Sequence, residues 1–197
     1  MNIEILSSII DKQTADVSVL FKNLSTGTTL YEKNIHKQVR SASIIKLFIL
    51  SKCADAFEKG LYSPQDILPV PPEEKVSFSL LSDLNQPSWR LDDMASLMII
   101  LSDNTATNLL IDLFNMDKIN AHISGLGGDQ TVLQRKMMDT AAARMGLENY
   151  TSLHDAAQLL EGIYQEASKG HVYSQWMLDV LSKQRDRSML RRYLPES

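Results

Sequence analysis

Apolar and polar residues along this chain keep two different rhythms, and the change between them falls near residue 43. Residues 2–13 carry apolar positions at helical spacing. Residues 16–24 and 28–31 instead place Val17, Val19, Phe21 and Tyr31 in β-rich runs on either side of Ser25-Thr26-Gly27. Two such runs around a glycine able to take positive φ predict a hairpin. From residue 43 the helical period takes over. Residues 43–59 have apolar side chains at 44, 45, 47, 48, 50, 54 and 57, with Gly60 placed to end the helix.

Residues 62–90 read as loop, broken by Pro64, Pro69, Pro71, Pro72 and Pro87. Residues 92–101 form a helix with Met94, Leu97, Met98 and Leu101 on one stripe. Ser102-Asp103-Asn104 interrupts it, and the pattern resumes over 105–114. Gly125, Gly127 and Gly128 mark a turn. They make a poor phosphate loop, since no strand precedes them and no Lys-Ser/Thr follows. Thr151 is the expected N-cap of a helix through Ala167, followed by short helices at 174–181 and 188–193. Two strands alone make no stable sheet, so the hairpin requires partners.

Composition narrows the function classes. With 197 residues, 44% hydrophobic and 22% charged, the chain can bury a substantial core. A net charge of −4 argues against nucleic acid as a partner. The one dense basic cluster, Arg185, Arg187, Arg191 and Arg192, is interrupted by Asp186 and reads as a solvated helix face. The single Cys53 sits in an apolar run, which points to a core residue and excludes an internal disulfide. The histidines at 36, 122, 154 and 171 lack metal-ligand spacing, and no metal site is expected. No apolar stretch reaches membrane-spanning length, so no membrane partner is expected. The first residues show neither a basic n-region nor a cleavage site. The expectation for the chain as written is cytoplasmic, with export of a longer form as the alternative.

Two motifs carry chemistry. In Ser43-Ile44-Ile45-Lys46, residues three apart share a helix face, so the Lys46 amine lies above the Ser43 hydroxyl. A serine hydroxyl needs a base to attack a carbonyl, and Lys46 supplies one if burial against Ile44, Ile45 and Phe48 lowers its pKa. The helix N-terminus adds N–H groups suited to a developing oxyanion. Ser-x-x-Lys arises about once by chance in such a chain, and a helix cap followed by a solvent lysine would look the same. Ser102-Asp103-Asn104, alone, also reads as a corner between helices.

Both motifs, in this order and each at a helix edge, resemble the penicillin-recognising serine hydrolases, in particular the class A β-lactamase family. The resemblance extends to Arg40-Ser41-Ala42-Ser43-Ile44-Ile45-Lys46-Leu47, to 91–110, and to Leu133-Gln134-Arg135-Lys136-Met137-Met138-Asp139 with Glu148-Asn149-Tyr150-Thr151, and so covers about 16–195. It implies an α+β fold of β-lactamase/transpeptidase type, a mostly helical lobe with an incomplete antiparallel sheet lobe. Residues 1–40 would form the helix and hairpin of the sheet lobe, 41–183 the all-α lobe, and 184–197 the return segment. It implies Ser43 as the acylated nucleophile and Lys46 as its proton acceptor. Ser102 would relay a proton to the leaving nitrogen. Asn104 would bind the substrate carbonyl and brace Lys46. The substrate class implied is a β-lactam or a D-Ala-D-Ala-like peptide, with no cofactor.

Two departures qualify this. Met137 stands about where the family has a glutamate that activates the deacylating water. Asp139 is a substitute or else a salt-bridge partner of Arg135, and Glu148 lies too far along. Second, no Lys-Thr-Gly or Lys-Ser-Gly occurs anywhere, and the expectation is a fragment whose hairpin face is left open. The sequence therefore predicts a class A β-lactamase-type serine hydrolase. The alternatives are a penicillin-binding or D,D-peptidase-like protein with little deacylation, and a non-catalytic remnant keeping Ser43 and Asn104 as helix caps.

Overall fold

The structure, a computed structural model, describes residues 3–186. Helix α1 (Ile3–Asp11) leads into the hairpin β1 (Val19–Lys22) and β2 (Thr29–Lys33), antiparallel with Phe21 opposite Tyr31. Gly27 takes φ +71° in the turn, and Asn23 Oδ1 accepts the N–H groups of Ser25 and Thr26 there. No residue of either strand is fully buried, and Leu24 and Leu30 are exposed; among the described residues the hairpin pairs with no further strand.

Strand β3 (Val39–Arg40) and a 3₁₀ turn at Ala42–Ile44 precede helix α2 (Ile45–Glu58). Ile45, Phe48, Ile49, Leu50 and Cys53 of α2 are all buried, so α2 is apolar on nearly every side and serves as the central helix. Around it pack α4 (Leu91–Ile100), α5 (Asn104–Phe114), α6 (Met116–Gly125), α8 (Leu153–Ser168) and α9 (Val172–Ser182). Met94, Met98, Leu110, Ile119 and Ile123 fill the space between them. Phe57 closes the far end, edge-on to Trp176 at 5.4 Å between ring centres.

The loop-rich expectation for 62–90 needs correction. Strands β4 (Ile67–Pro69) and β5 (Ser88–Arg90) pair there as a ribbon, with the short helix α3 (Leu80–Asp83) between them. The prolines fit because Pro64, Pro71, Pro72 and Pro87 stand outside the paired strands and Pro69 ends β4. Helix α7 (Thr140–Arg144) and strand β6 (Tyr150–Thr151) complete the elements. Thr151 does not cap α8. It lies in β6 opposite Val39, and Ser152 caps the helix by accepting the Asp155 N–H at 3.1 Å. Leu101 leaves the apolar stripe because α4 ends at Ile100 and the chain turns at Ser102.

The helix expected at 188–193, and Arg187, Arg191 and Arg192 of the basic cluster, lie outside the described residues. Cys53 is buried, as its apolar run implied. No helix of the described residues is long and apolar enough to cross a membrane.

Candidate active site

Ser43 lies exposed on the 3₁₀ turn at the head of α2. The turn is held from behind. Ser41, fully buried, donates its N–H to the Asn149 carbonyl at 2.8 Å and accepts the Ile44 N–H at 2.9 Å. Between Ser41 and Ser43, Ala42 takes φ +44°, a left-handed conformation that turns the chain sharply before the hydroxyl.

Lys46, on the first turn of α2, is only 2% exposed. Its three N–H donors meet three acceptors: Ser102 O at 2.7 Å, Ser102 Oγ at 2.9 Å and Asn104 Oδ1 at 2.9 Å. Burial pushes the Lys46 pKa down to about 8, against the opposing pull of the Asp103 charge. Ile45 and Phe48 are buried as the sequence reading required, while Ile44 is exposed.

Ser102, at φ +56°, leaves the end of α4 and points its hydroxyl at Ser43, with 2.8 Å between the two Oγ atoms. No hydrogen bond joins Ser43 directly to Lys46 among the described residues. The link between hydroxyl and amine expected from the helical spacing runs through Ser102 instead. Asn104 opens α5, and its Nδ2 donates to Ser77 O at 3.1 Å. The four predicted residues thus come together in one hydrogen-bonded group.

The corner's side chain caps the next helix, as the reading of Ser102-Asp103-Asn104 as a helix–helix corner allowed, whereas its ties to α3 and the support from Asn108 were missed in the sequence. Asp103, buried, caps α5 by accepting the Ala106 N–H at 2.9 Å, and takes Ser79 Oγ–H at 2.8 Å and the Leu81 N–H at 3.1 Å. It thereby ties the Ser-Asp-Asn corner to α3, and its place before a helical run was the available signal. Asn108, also buried, holds the main chain of Met137, accepting its N–H at 2.7 Å and donating to its carbonyl at 3.1 Å.

A cleft of about 330 Å³ opens at Ser43. Ala42, Ser43 and Asn104 line one side, and Arg135, Met137, Asp139, Glu148 and Asn149 line the other. A second cleft, of about 440 Å³, lies along α8 and contains none of the four predicted residues.

The expected Arg135–Asp139 salt bridge is absent. Arg135 pairs with Glu148, Nη2 to Oε1 at 2.7 Å, and Asp139 caps α7 through the Ala142 N–H at 2.9 Å. The Asn149 N–H, with Arg135, holds the Glu148 carboxyl below its usual range. Met137 is nearly buried. Among the described residues, no group of three or more His, Cys, Asp or Glu is placed to hold a metal.

This geometry sets a serine hydroxyl, a second hydroxyl and a pKa-shifted amine in series beside an open cleft, an arrangement chemically suited to serine acyl transfer. A family model described as the β-lactamase enzyme family matches residues 3–197, and the chain belongs to that family. It is similar to the β-lactamase of Sphaerobacter thermophilus DSM 20745, at 26% identity, covering 99% of this chain and 74% of that one, with a TM-score of 0.86. It is similar also to PBP-A, at 25% identity, 98% and 72% coverage and a TM-score of 0.85. An ancestral class A β-lactamase shares the fold at 19% identity, with 98% and 75% coverage and a TM-score of 0.85. A mutant of PBP-A has been solved as an acyl-enzyme complex with penicillin G. No curated protein sequence matches the chain. Family and fold put the chain among the β-lactamase-like and PBP-like serine hydrolases.

Proposed function

We propose that Ser43 attacks the carbonyl of a β-lactam and keeps the acyl group for long periods, so that the protein acts as a penicillin-binding acyl-transferase with slow deacylation. The observation that carries the first step is the chain Ser43 Oγ–Ser102 Oγ–Lys46 Nζ, with contacts of 2.8 and 2.9 Å. Lys46 with a pKa of about 8 is neutral in about a tenth of molecules at pH 7 and can take the Ser43 proton through Ser102. The Ser43 oxygen bonds to the carbonyl carbon, the carbon–nitrogen bond breaks, and the leaving nitrogen receives a proton back through Ser102. The Ser43 N–H, at the positive end of α2, is the group assigned to the developing oxyanion. Asn104, which braces Lys46, is assigned to the substrate's side-chain carbonyl. The reactive serine then stands at the boundary between the 1–40 and 41–183 segments.

Slow release rests on the opposite side of the cleft. Met137 has no carboxylate, Asp139 is occupied at the α7 N-cap and Glu148 is occupied by Arg135, which leaves a deacylating water without an evident base. The test is burst stoichiometry with a chromogenic cephalosporin, together with labelling by a fluorescent penicillin. One equivalent bound and retained, lost in Ser43→Ala, supports the proposal. Sustained turnover favours the β-lactamase reading instead. A folded wild type that takes no label makes the chain a non-catalytic remnant.

A further inference from the structure

The two sides of the cleft at Ser43 come from distant parts of the sequence, and one buried side chain governs the main chain that joins them. Asn149 is 2% exposed. Its Oδ1 accepts the N–H groups of Gln134 at 2.8 Å and Arg135 at 3.0 Å, and its Nδ2 donates to the Arg135 carbonyl at 3.0 Å. The carboxamide thus clasps the root of the loop that carries Met137. The same residue's carbonyl accepts the Ser41 N–H at 2.8 Å. That bond follows on from the pairs Arg40–Tyr150 and Val39–Thr151, extending the β3–β6 ladder to the edge of the Ser43 turn.

We infer that Asn149 is a positioning residue that couples the loop at 134–138 to the Ser43 turn. Its side chain is fixed on the loop, its main chain fixes Ser41, and Ala42, the only residue between Ser41 and Ser43, is already in a left-handed conformation with little room to compensate. A shift of the loop is therefore transmitted to the reach of the Ser43 hydroxyl toward Ser102. The side chain suits this task because a carboxamide both accepts and donates, and the loop root offers two N–H groups and one carbonyl. Without it, those three part-buried main-chain groups would lose their partners within the protein. The kinetic consequence of the coupling rests on the acyl-transfer reading above, whereas the coupling itself does not.

The test uses the whole chain with Asn149→Ala and Asn149→Asp, read by hydrogen–deuterium exchange and by the rate of Ser43 labelling with a fluorescent penicillin. Asn149→Ala is expected to speed exchange in peptides spanning both 39–46 and 132–138, and to slow labelling about ten- to a hundredfold. Asn149→Asp keeps the two accepted bonds and loses only the donated one, so it recovers part of that labelling rate. Faster exchange confined to 132–138 overturns the coupling. So does a lower Tm with an unchanged labelling rate well below it. Should Asn149→Ala fail to fold, Asn149→Asp is read by the same exchange criterion. If the wild type takes no label, the functional reading fails and exchange in both segments still decides the coupling.

Discussion

One side of the Ser43 cleft holds Ser43, Ser102, Lys46 and Asn104 in a continuous run of hydrogen bonds, whereas the facing side presents Met137 and two carboxylates already committed elsewhere. The first side spends its polar groups on one another, with the exposed Ser43 hydroxyl at the end. The second spends them on holding its own loop together: Arg135 on Glu148, Asn149 on Gln134 and Arg135, Asn108 on Met137. Both sides carry polar residues at the cleft. What separates the sides is whether those groups run in series to an exposed hydroxyl or pair off within their own loop.

The two sides are expected to respond separately to change. The largest effect is expected from Lys46→Met, which should lower the rate of penicillin labelling about a thousandfold, read by stopped-time gel fluorescence, while Met137→Leu leaves it within about twofold. Acidity comes next. Because burial lowers the Lys46 pKa to about 8, labelling should rise about tenfold per pH unit below that value and level off above it. The same shift has a stability counterpart. Between about pH 8 and the ordinary 10.5 the unfolded chain holds the Lys46 proton and the folded chain has released it, so this group's contribution to stability rises with pH over that window. Urea unfolding at pH 8 and 10 would show it.

On the facing side the expected effects are smaller. Asn108→Ala leaves the Met137 N–H and carbonyl without partners and should cost about 2 kcal/mol, read from urea midpoints. Met137→Glu places a carboxylate in the cleft and should shorten the acyl-enzyme lifetime about tenfold, measured by loss of bound label, with the labelling rate changed far less. An unchanged lifetime there would break the contrast, since release would then depend on something other than the missing base.

Much of the Ser43 side was legible in the sequence, because its parts are local. Ser43 and Lys46 sit a helical turn apart, and Ser102 and Asn104 flank a cap. Their meeting across 59 residues was not legible from the residues alone, and the hydroxyl-to-hydroxyl link through Ser102 depends on the positive φ at that serine. The facing side was read less well for the same reason. Arg135 had Asp139 four residues away and Glu148 thirteen away, and the distant carboxylate won because Asp139 had a nearer task at the α7 N-cap.

The fold divides in the same way. The hairpin, α2, α4, α5, α8 and α9 follow from local pattern, while β4–β5 and β3–β6 are pairings between strands of two or three residues that no periodicity reveals. Helix α6 escaped notice because Asp117, Lys118, Asn120 and His122 leave it only a thin apolar stripe at Ile119 and Ile123.

The left-handed backbone at Ala42 and Ser102 has a bearing on any attempt to make the protein more heat-resistant. Such a conformation costs a residue bearing a Cβ about 1 kcal/mol or more, and glycine relieves it at either place. Glycine at 42 would remove none of the atoms in the Ser43–Ser102–Lys46 run of hydrogen bonds. Glycine at 102 would remove the oxygen that connects the Ser43 hydroxyl to the Lys46 amine. Selection for robustness and selection for reactivity can therefore travel together at the first position and must part company at the second.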